Sequence, residues 1–316
     1  MPTALNLRSK KVSNVGNKVF AGLSSGAGWF ILLTLAAVAI FLIVRAYPAF
    51  TASSDEMAGQ SILQGRSFWG YVGPLLFGTV ISSAIALLVA VPLSIGIALF
   101  ISHYAPRRLA QTLGYLVDLL AAIPSVIYGL WGARWLMGNV DPVFSWLTNN
   151  FGFIPFFQDY VPPARNITTA SLVLAVMILP IVTATIREVF LQTPRLHEEA
   201  SLALGATRWE MIRQAVLPFG RSGIISAAML GLGRALGETM AVLMILSPGF
   251  FVNFFLLKPG QHQSIAANIA AQFPEASGLG VNILIATGLV LFVITFLVNM
   301  AARAIIARRA EFSGAN

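Results

Sequence analysis

One apolar stretch of the chain carries an arginine and a glutamate, two residue types able to handle an ion inside a membrane. Arg234 and Glu238 lie four residues apart in the run from about residue 222 to 246. In a helix this spacing places both side chains on one face, together with Gly231 one turn earlier. The rise from the start of the run puts Arg234 about 18 Å into the bilayer, near its middle. Because burial of either charge in lipid costs several kcal/mol, both side chains are predicted to face the bundle interior or a cavity.

These two side chains suit the passage of an oxyanion. A guanidinium in a cavity of low dielectric constant offers paired hydrogen-bond donors to two oxygens. Glu238 can then accept a hydrogen bond from a protonated oxygen, which phosphate has at neutral pH and sulfate lacks, or compete for Arg234 so that the anion can leave. The alternative is a structural ion pair, but an ion pair removed from water often fails to offset its desolvation. A role in a transport path is therefore favoured.

Two further charged residues lie in the third apolar run. Arg134 is near the outer end of that run and Asp118 is partway in, so both are candidates for the same substrate path. The alternative is that each side chain reaches the interface, or satisfies backbone groups at the kink that Pro124 predicts.

The composition is that of a membrane protein. Of 316 residues, 57% are hydrophobic and 10% are charged, and the mean hydropathy is +0.80. A soluble domain of this length needs much more polar surface. The chain has no cysteine and its three histidines are far apart, which excludes disulfides, thiol chemistry and a metal site of the usual ligand spacing. No cofactor is expected in this chain.

Six apolar runs are long enough to cross a bilayer. They predict an all-α, polytopic protein with transmembrane helices at about residues 28–47, 74–102, 109–137, 167–191, 222–246 and 279–306. The predicted organisation is an N-terminal segment over 1–27, a six-helix domain over 28–306 and a tail over 307–316. The first run is predicted to be a retained helix, because the apolar core of a cleaved signal peptide is shorter. Residues 138–166 are predicted to form a loop.

The distribution of basic residues predicts the orientation. Fourteen of the twenty Lys and Arg residues fall in the N-terminal segment, the connection after the second run, the stretch 187–221 and the C-terminus, and four fall on the alternate side. Lys and Arg concentrate in cytoplasmic loops. Both termini and the segment 192–218 are therefore predicted to be cytoplasmic. The net charge of +8 reflects this bias and does not indicate nucleic-acid binding.

The segment 192–218 is a polar insert between the fourth and fifth runs. Residues 198–204 are predicted to be helical, Gly205 to permit a turn, and residues 209–216 to form a second short helix that Pro218 stops. One apolar side can be formed by Leu202, Trp209, Ile212 and Val216. The insert is either a helical hairpin on the lipid headgroups or a docking element for a soluble partner.

The order of residues in this insert resembles the cytoplasmic motif of ABC importer permeases. That motif has the form EAA, three residues, G, nine residues, I, one residue, LP; the chain has Glu199-Ala200-Ser201, then Gly205, and ends in Leu217-Pro218. Ser201 replaces an Ala of the motif, and Ala215 replaces its Ile. The resemblance implies that Glu199 contacts a separate ATPase subunit, that Gly205 sets the turn and that Pro218 ends the segment at the membrane.

Three apolar stretches resemble the permeases of phosphate-specific ABC importers. They are GLGRALGETMAV at 231–242, DLLAAIPSVIYGLWG at 118–132 and VPLSIGIALF at 91–100. Of the two paralogous permease types, the chain resembles PstC more than PstA. The resemblance implies the type I ABC importer permease fold and a role for Arg234 and Glu238 in phosphate passage. It also implies an inner-membrane assembly with a PstA-like sister permease, two ATPase subunits that bind ATP and Mg, and an extracytoplasmic phosphate-binding protein.

Other classes of transporter stay open on the sequence. No G-x-x-x-x-G-K-[ST] motif is present, so ATP hydrolysis is expected in a partner subunit and this chain is not expected to be an enzyme. An ABC permease for molybdate, sulfate or an amino acid would keep the segment 192–218 without needing the Arg234 and Glu238 pair. A secondary transporter driven by an ion gradient would take up substrate without a soluble ATPase. An intramembrane hydrolase lacks a visible Ser/His/Asp or paired-Asp arrangement.

Overall fold

The computed structural model describes residues 15–310, and within that range the chain forms thirteen α-helices and no strand. In chain order they are α1 (Val15–Thr51), α2 (Ser54–Ala58), α3 (Phe68–Leu99), α4 (Arg107–Ala121), α5 (Ser125–Trp131), α6 (Met137–Phe151), α7 (Ile167–Leu191), α8 (Arg195–Ala203), α9 (Arg208–Met211), α10 (Leu217–Leu236), α11 (Met240–Ile245), α12 (Ile265–Gln272) and α13 (Leu279–Ala310). Turns of π-helix extend or join several of them, at Phe100–Tyr104, Gly132–Leu136 and Ile212–Val216. The all-α prediction is confirmed.

Five helical stretches are long and apolar enough to cross a membrane. They are Gly16–Thr51, Phe68–Tyr104, Ile167–Leu191, Arg208–Leu236 and Leu279–Ala304. A sixth span is present if Arg107–Ala121 and Ser125–Phe151 count as one, although the two halves meet at 91°. The six predicted runs thus correspond to five continuous spans and one broken span.

The third predicted span is broken at Pro124. α4 ends at Ala121 and α5 begins at Ser125. Proline has no N–H for the helix ladder, and its ring pushes the preceding residue out of the helical region. The prediction of one helix over 109–137 is wrong for this reason.

The loop predicted over 138–166 is also wrong in its first half, because α6 continues to Phe151. The polar residues of this stretch indicated a loop, but the carboxylate of Asp141 forms hydrogen bonds inside the protein. It accepts hydrogen bonds from the hydroxyl of Tyr160 and from the backbone N–H of Ala164, at 3.2 Å for the latter. Asp141 therefore fastens the following irregular segment to α6.

The first helix begins earlier than predicted. α1 starts at Val15, so it covers the second half of the segment 1–27. Residues 15–27 contain one charged residue, Lys18, which leaves them apolar enough to extend the helix. The beginning of the predicted N-terminal segment, residues 1–14, and the end of the predicted tail, residues 311–316, lie outside the described residues.

α7 is the central helix, packed by α3, α4 and α10. Its first turn is capped by Asn166, whose side-chain oxygen accepts a hydrogen bond from the Thr169 N–H at 3.0 Å. The amide of Asn166 also donates to the Leu257 carbonyl at 3.0 Å. This single buried side chain therefore joins the start of α7 to the segment between α11 and α12.

Residues 246–264, between α11 and α12, form no regular helix and fold into the bundle. The segment comes so close to α3 that a Cβ on Gly78 would lie 2.2 Å from the Gln263 carbonyl oxygen. His262 is buried beside it, with Nε2 2.9 Å from the Asn253 carbonyl oxygen. Burial lowers the pKa of His262, and its hydrogen bond to Asn253 opposes this effect. The carbonyl can only accept, so Nε2 donates the proton.

Candidate transport site and coupling segment

The fifth predicted helix is broken beside Glu238. α10 ends at Leu236 and α11 begins at Met240, which leaves Glu238 in a non-helical link. Three glycines between residues 231 and 237 lower the helix propensity at this point. The prediction of one helix over 222–246 is therefore wrong, and so is the expectation that Arg234 and Glu238 share a helix face.

Glu238 is buried, with 8% of its surface exposed. Its Oε1 accepts a hydrogen bond from the backbone N–H of Ala241 at 3.1 Å, which fixes the carboxylate at the first turn of α11. Among the described side chains of residues 16–304, no basic group lies within 4.0 Å of the carboxylate. The structural ion pair with Arg234 that the sequence allowed is therefore not formed in this structure.

Arg234 lies half-buried in the last turn of α10. No carboxylate of the described chain comes within 4.0 Å of its guanidinium. Gly231, one turn earlier, allows α10 to pack tightly on α7, because a Cβ there would lie 2.8 Å from Cγ2 of Val182. Arg234 thus lies one turn beyond a point of close packing between α10 and α7, without an acidic partner in the described chain.

Two of the stretches that carry the family resemblance meet in the fold. A Cβ on Gly129 of α5 would lie 2.7 Å from Cα of Ala241 in α11. A Cβ on Gly132 would lie 2.9 Å from Cδ1 of Ile245 and 2.5 Å from Cγ2 of Val173 on α7. The stretches 118–132 and 231–242 therefore pack directly together around the link that contains the buried glutamate.

Asp118 has a different setting. Its Oδ2 lies 3.5 Å from Nη2 of Arg187 on α7, and the same Nη2 lies 2.8 Å from Oε1 of Glu188. A Cβ on Gly114 would lie 2.5 Å from Nη1 of Arg187, so the guanidinium fills the space above that glycine. The cluster holds α4 against the end of α7.

The Asp118 cluster is remote from Glu238. Val173, which lies near α11, and Arg187 are fourteen residues apart on α7, a rise of about 21 Å. The structure therefore does not bring Asp118 to the Glu238 link. Sequence reasoning missed Arg187, because a basic residue at the end of an apolar run is typical of any helix that reaches the interface.

Arg134 lies in the π-helical turn Gly132–Leu136 and is exposed. No carboxylate among the described residues 16–304 comes within 4.0 Å of its guanidinium. The turn follows α5, which packs on α11, but nothing ties this side chain to Glu238. Its role in a substrate path stays a prediction.

The segment 192–218 begins with α8 and a tight turn. Gly205 has a φ of +87°, a left-handed conformation that favours glycine, which confirms the predicted turn. α9 then begins with a capping box: Thr207 N–H donates to the Glu210 carboxylate at 2.8 Å, and Glu210 N–H donates to Thr207 Oγ1 at 3.3 Å. The segment therefore contains two helical pieces, α8 and α9, joined by the turn at Gly205.

The second helix of the segment does not stop at Pro218. Helical structure continues from Arg208 to Leu236, with a π-helical turn at Ile212–Val216. The Leu217 N–H donates to the Ile212 carbonyl, and Pro218 then occupies the first turn of α10. Proline is tolerated in a first turn, where a backbone N–H has no helical partner. The predicted stop is wrong, and the docking segment is continuous with the helix that carries Arg234.

The predicted apolar side of the segment is divided between two environments. Ile212 and Val216 are fully buried and pack in a cluster with Phe190 at the end of α7. Trp209 is 56% exposed, and Leu202 is also exposed. The motif residues Glu199, Ala200 and Gly205 are exposed as well. One side of the segment thus joins the bundle, and the other presents apolar and acidic groups to the surroundings.

The bundle and its exposed helical insert define the class of the protein. Residues 90–311 match the family described as binding-protein-dependent transport system inner membrane component. The chain belongs to this family of multi-pass inner-membrane permeases. Its fold is shared with a solved bacterial ABC transporter involved in the import of alginate, at a TM-score of 0.58 and 19% identity over 92% of this chain and 95% of that one.

Two curated relatives belong to a narrower class than this family, the phosphate transport permeases. The chain is 45% identical over 304 residues to the phosphate transport system permease protein PstC 2 of Mycobacterium tuberculosis, which covers 92% of this chain and 91% of the relative. It is 38% identical over 298 residues to the phosphate transport system permease protein PstC of Haemophilus influenzae, which covers 90% and 91%. The chain belongs with the PstC permeases.

Proposed function

We propose that this chain is the PstC-type permease subunit of an ATP-driven phosphate importer. The observation that carries this function is the identity of 45% to a phosphate transport system permease over 92% of the chain. The permease forms the phosphate path together with a PstA-like sister permease. An extracytoplasmic phosphate-binding protein delivers the anion, and both termini of this chain lie in the cytoplasm.

Arg234, in the last turn of α10, and Glu238, in the link that follows it, both bind the anion. The Arg234 guanidinium donates hydrogen bonds to phosphate oxygens. Glu238 has Oε1 engaged by the Ala241 N–H, which leaves Oε2 to accept a hydrogen bond from a protonated phosphate oxygen. Sulfate has no such proton at neutral pH, so this contact discriminates phosphate from sulfate.

The helix break supports this assignment. Non-helical backbone at membrane depth is tolerated only where it is buried in protein or lines a water-filled cavity. Discontinuous helices that present backbone and side chains to a substrate are a recurring way to build such sites. The link between Leu236 and Met240 therefore serves as the lining of the path.

ATP hydrolysis takes place in a separate subunit. We assign its docking site to the exposed side of the segment 192–218, with Glu199 and Ala200 in contact and Gly205 setting the angle of α8. Leu217 and Pro218 continue the segment directly into α10. A displacement of the insert thus reaches Arg234 along one continuous helical stretch, Arg208–Leu236.

The function is tested by uptake of radiolabelled phosphate into proteoliposomes. The vesicles contain this chain, the sister permease and the ATPase, with the phosphate-binding protein outside and ATP inside. Uptake is expected to require all four components and to resist competition by sulfate and molybdate. Uptake that persists without the ATPase would favour a secondary transporter, and inhibition by another oxyanion at equal concentration would reassign the substrate.

A further inference from the structure

His103 joins the docking segment to a membrane helix. It lies in the π-helical turn Phe100–Tyr104 at the end of α3, with 7% of its side chain exposed. Its Nε2 lies 3.5 Å from Oε1 of Glu198 on α8. Glu198 precedes Glu199, the residue assigned above to the ATPase. An ion pair between membrane helix and insert therefore sits one residue from the docking surface.

The hydrogen bonds around the ring fit a protonated imidazole. Nδ1 lies 2.7 Å from Oγ of Ser102, and that hydroxyl lies 2.7 Å from the Ala98 carbonyl oxygen. With both ring nitrogens protonated, Ser102 donates to Ala98, Nδ1–H donates to Ser102, and Nε2–H faces the Glu198 carboxylate. A neutral ring has one proton fewer, so either the carboxylate faces a lone pair or Ser102 gives up its bond to Ala98.

α8 has few other attachments to the bundle. None of its residues is buried. The buried side chains that anchor the insert, Ile212 and Val216, come after the Gly205 turn and therefore hold α10 more directly than α8. Among the side chains that the structure describes, those of residues 16–304, the contact of His103 with Glu198 is the only ion pair between α8 and a membrane-spanning helix.

Other charged groups lie on the elements around the His103 ring, but Glu198 is its acidic partner. On α4, α7, α8 and the turn itself, the titratable or charged residues besides Glu198 are Tyr104, Arg107, Arg108, Tyr115, Asp118, Arg187, Glu188, Arg195, His197 and Glu199. Arg187, Glu188 and Asp118 are engaged with one another. In the described chain, Glu198 is the one carboxylate within 4.0 Å of the His103 ring.

The geometry points to His103 as a positioning residue for energy coupling: through Glu198 it transmits displacement of α8 to α3. This inference rests on the proposed docking of the ATPase to the segment 192–218.

The test uses the complete importer in proteoliposomes and measures the ratio of phosphate taken up to ATP hydrolysed. His103→Gln is expected to lower this ratio about fivefold, because the variant loses the ion pair with Glu198. Glu275→Gln removes an exposed carboxylate far from the insert in the chain, between α12 and α13, and serves as the control, with the wild-type ratio expected. Glu198→Gln is expected to give the same loss as His103→Gln, and the double variant no further loss.

A wild-type ratio for His103→Gln, or additive losses in the double variant, would overturn the proposal. If the His103→Gln complex does not assemble, His103→Lys decides, because lysine supplies a positive charge that can face the Glu198 carboxylate. A near-wild-type ratio for this variant supports the link, and a low ratio overturns it. Failure of the docking function is distinguishable, since Glu199 and Gly205 variants would then also leave coupling unchanged.

Discussion

The backbone N–H of Ala241 donates a hydrogen bond to Oε1 of Glu238 over 3.1 Å, beyond the end of the helix that carries Arg234. The contact holds a buried carboxylate in place through one of its two oxygens. Arg234 is thus carried by α10, and Glu238 by the link that joins α10 to α11. Their relative position follows from how α10 and α11 pack, and it can change when those helices move.

Arg234→Gln and Glu238→Gln are each expected to lower phosphate uptake by about tenfold to a hundredfold, since each removes a charged hydrogen-bonding partner of the anion. Glutamine at 238 can still accept from the Ala241 N–H, so the complex should assemble. Uptake into proteoliposomes and co-purification of the subunits measure the two effects. Arg221→Gln, an exposed arginine on α10, is the control. Normal uptake by both variants would end the assignment of the path.

Gly205→Val is expected to uncouple ATP hydrolysis from uptake. The φ of +87° is strained for a residue with a side chain, and most of all for a β-branched one. Gly205→Asn should be milder, because asparagine adopts left-handed conformations more readily. The measurement is the ratio of phosphate uptake to ATP hydrolysis in the reconstituted complex. Equal ratios for the valine variant and the wild type would contradict the predicted role of the turn.

Gly78→Ala is expected to destabilise the protein by about 1–3 kcal/mol, because a Cβ at this position would overlap the Gln263 carbonyl oxygen at 2.2 Å. Gly73→Ala on the same helix is a matched control, since a Cβ there meets nothing within 4 Å. Thermal unfolding of the purified complex in detergent compares the two. Equal unfolding midpoints for the two variants would show that the segment 246–264 moves to accommodate the added Cβ with no loss of stability.

The stability of the protein is expected to fall as the pH drops below the ordinary titration range of histidine, about pH 6.5. Burial lowers the pKa of His262 in the folded protein. Between the two pKa values the unfolded chain binds a proton that the folded chain does not, which favours unfolding.

His262→Gln keeps a donor for the Asn253 carbonyl and removes this titration, so its unfolding midpoint should vary less with pH between about pH 7 and pH 5. His197→Gln, an exposed histidine on α8, should keep the wild-type slope. Identical slopes for wild type and His262→Gln would show that burial of this ring does not govern the acid sensitivity.

Local signals in the chain predicted most of the helices. The apolar runs gave correct positions for α7 and α13, and the turn at Gly205 has the left-handed backbone that its residue type indicated. Where prediction failed, the local signal was ambiguous. Pro124 was interpreted as a kink and stands in the break just before α5, whereas Pro218 was interpreted as a stop and occupies the first turn of α10. The residue type alone does not tell these outcomes apart, because proline lacks the helical N–H in either place.

The sequence by itself determined that this protein is an all-α membrane permease of the PstC type with a polar insert before its fifth span. Hydrophobicity along the chain and short motifs are local properties, and they suffice for that conclusion. Only the tertiary structure decided the partners of the functional side chains: Ala241 for Glu238, Arg187 for Asp118 and Glu198 for His103. The last two pairs join residues far apart in the chain, and packing of the helices around α7 alone brings them within reach. The contact of Glu238 with Ala241 depends on the break between α10 and α11. Glycines permit this break, and packing of α11 against α5 holds it in place.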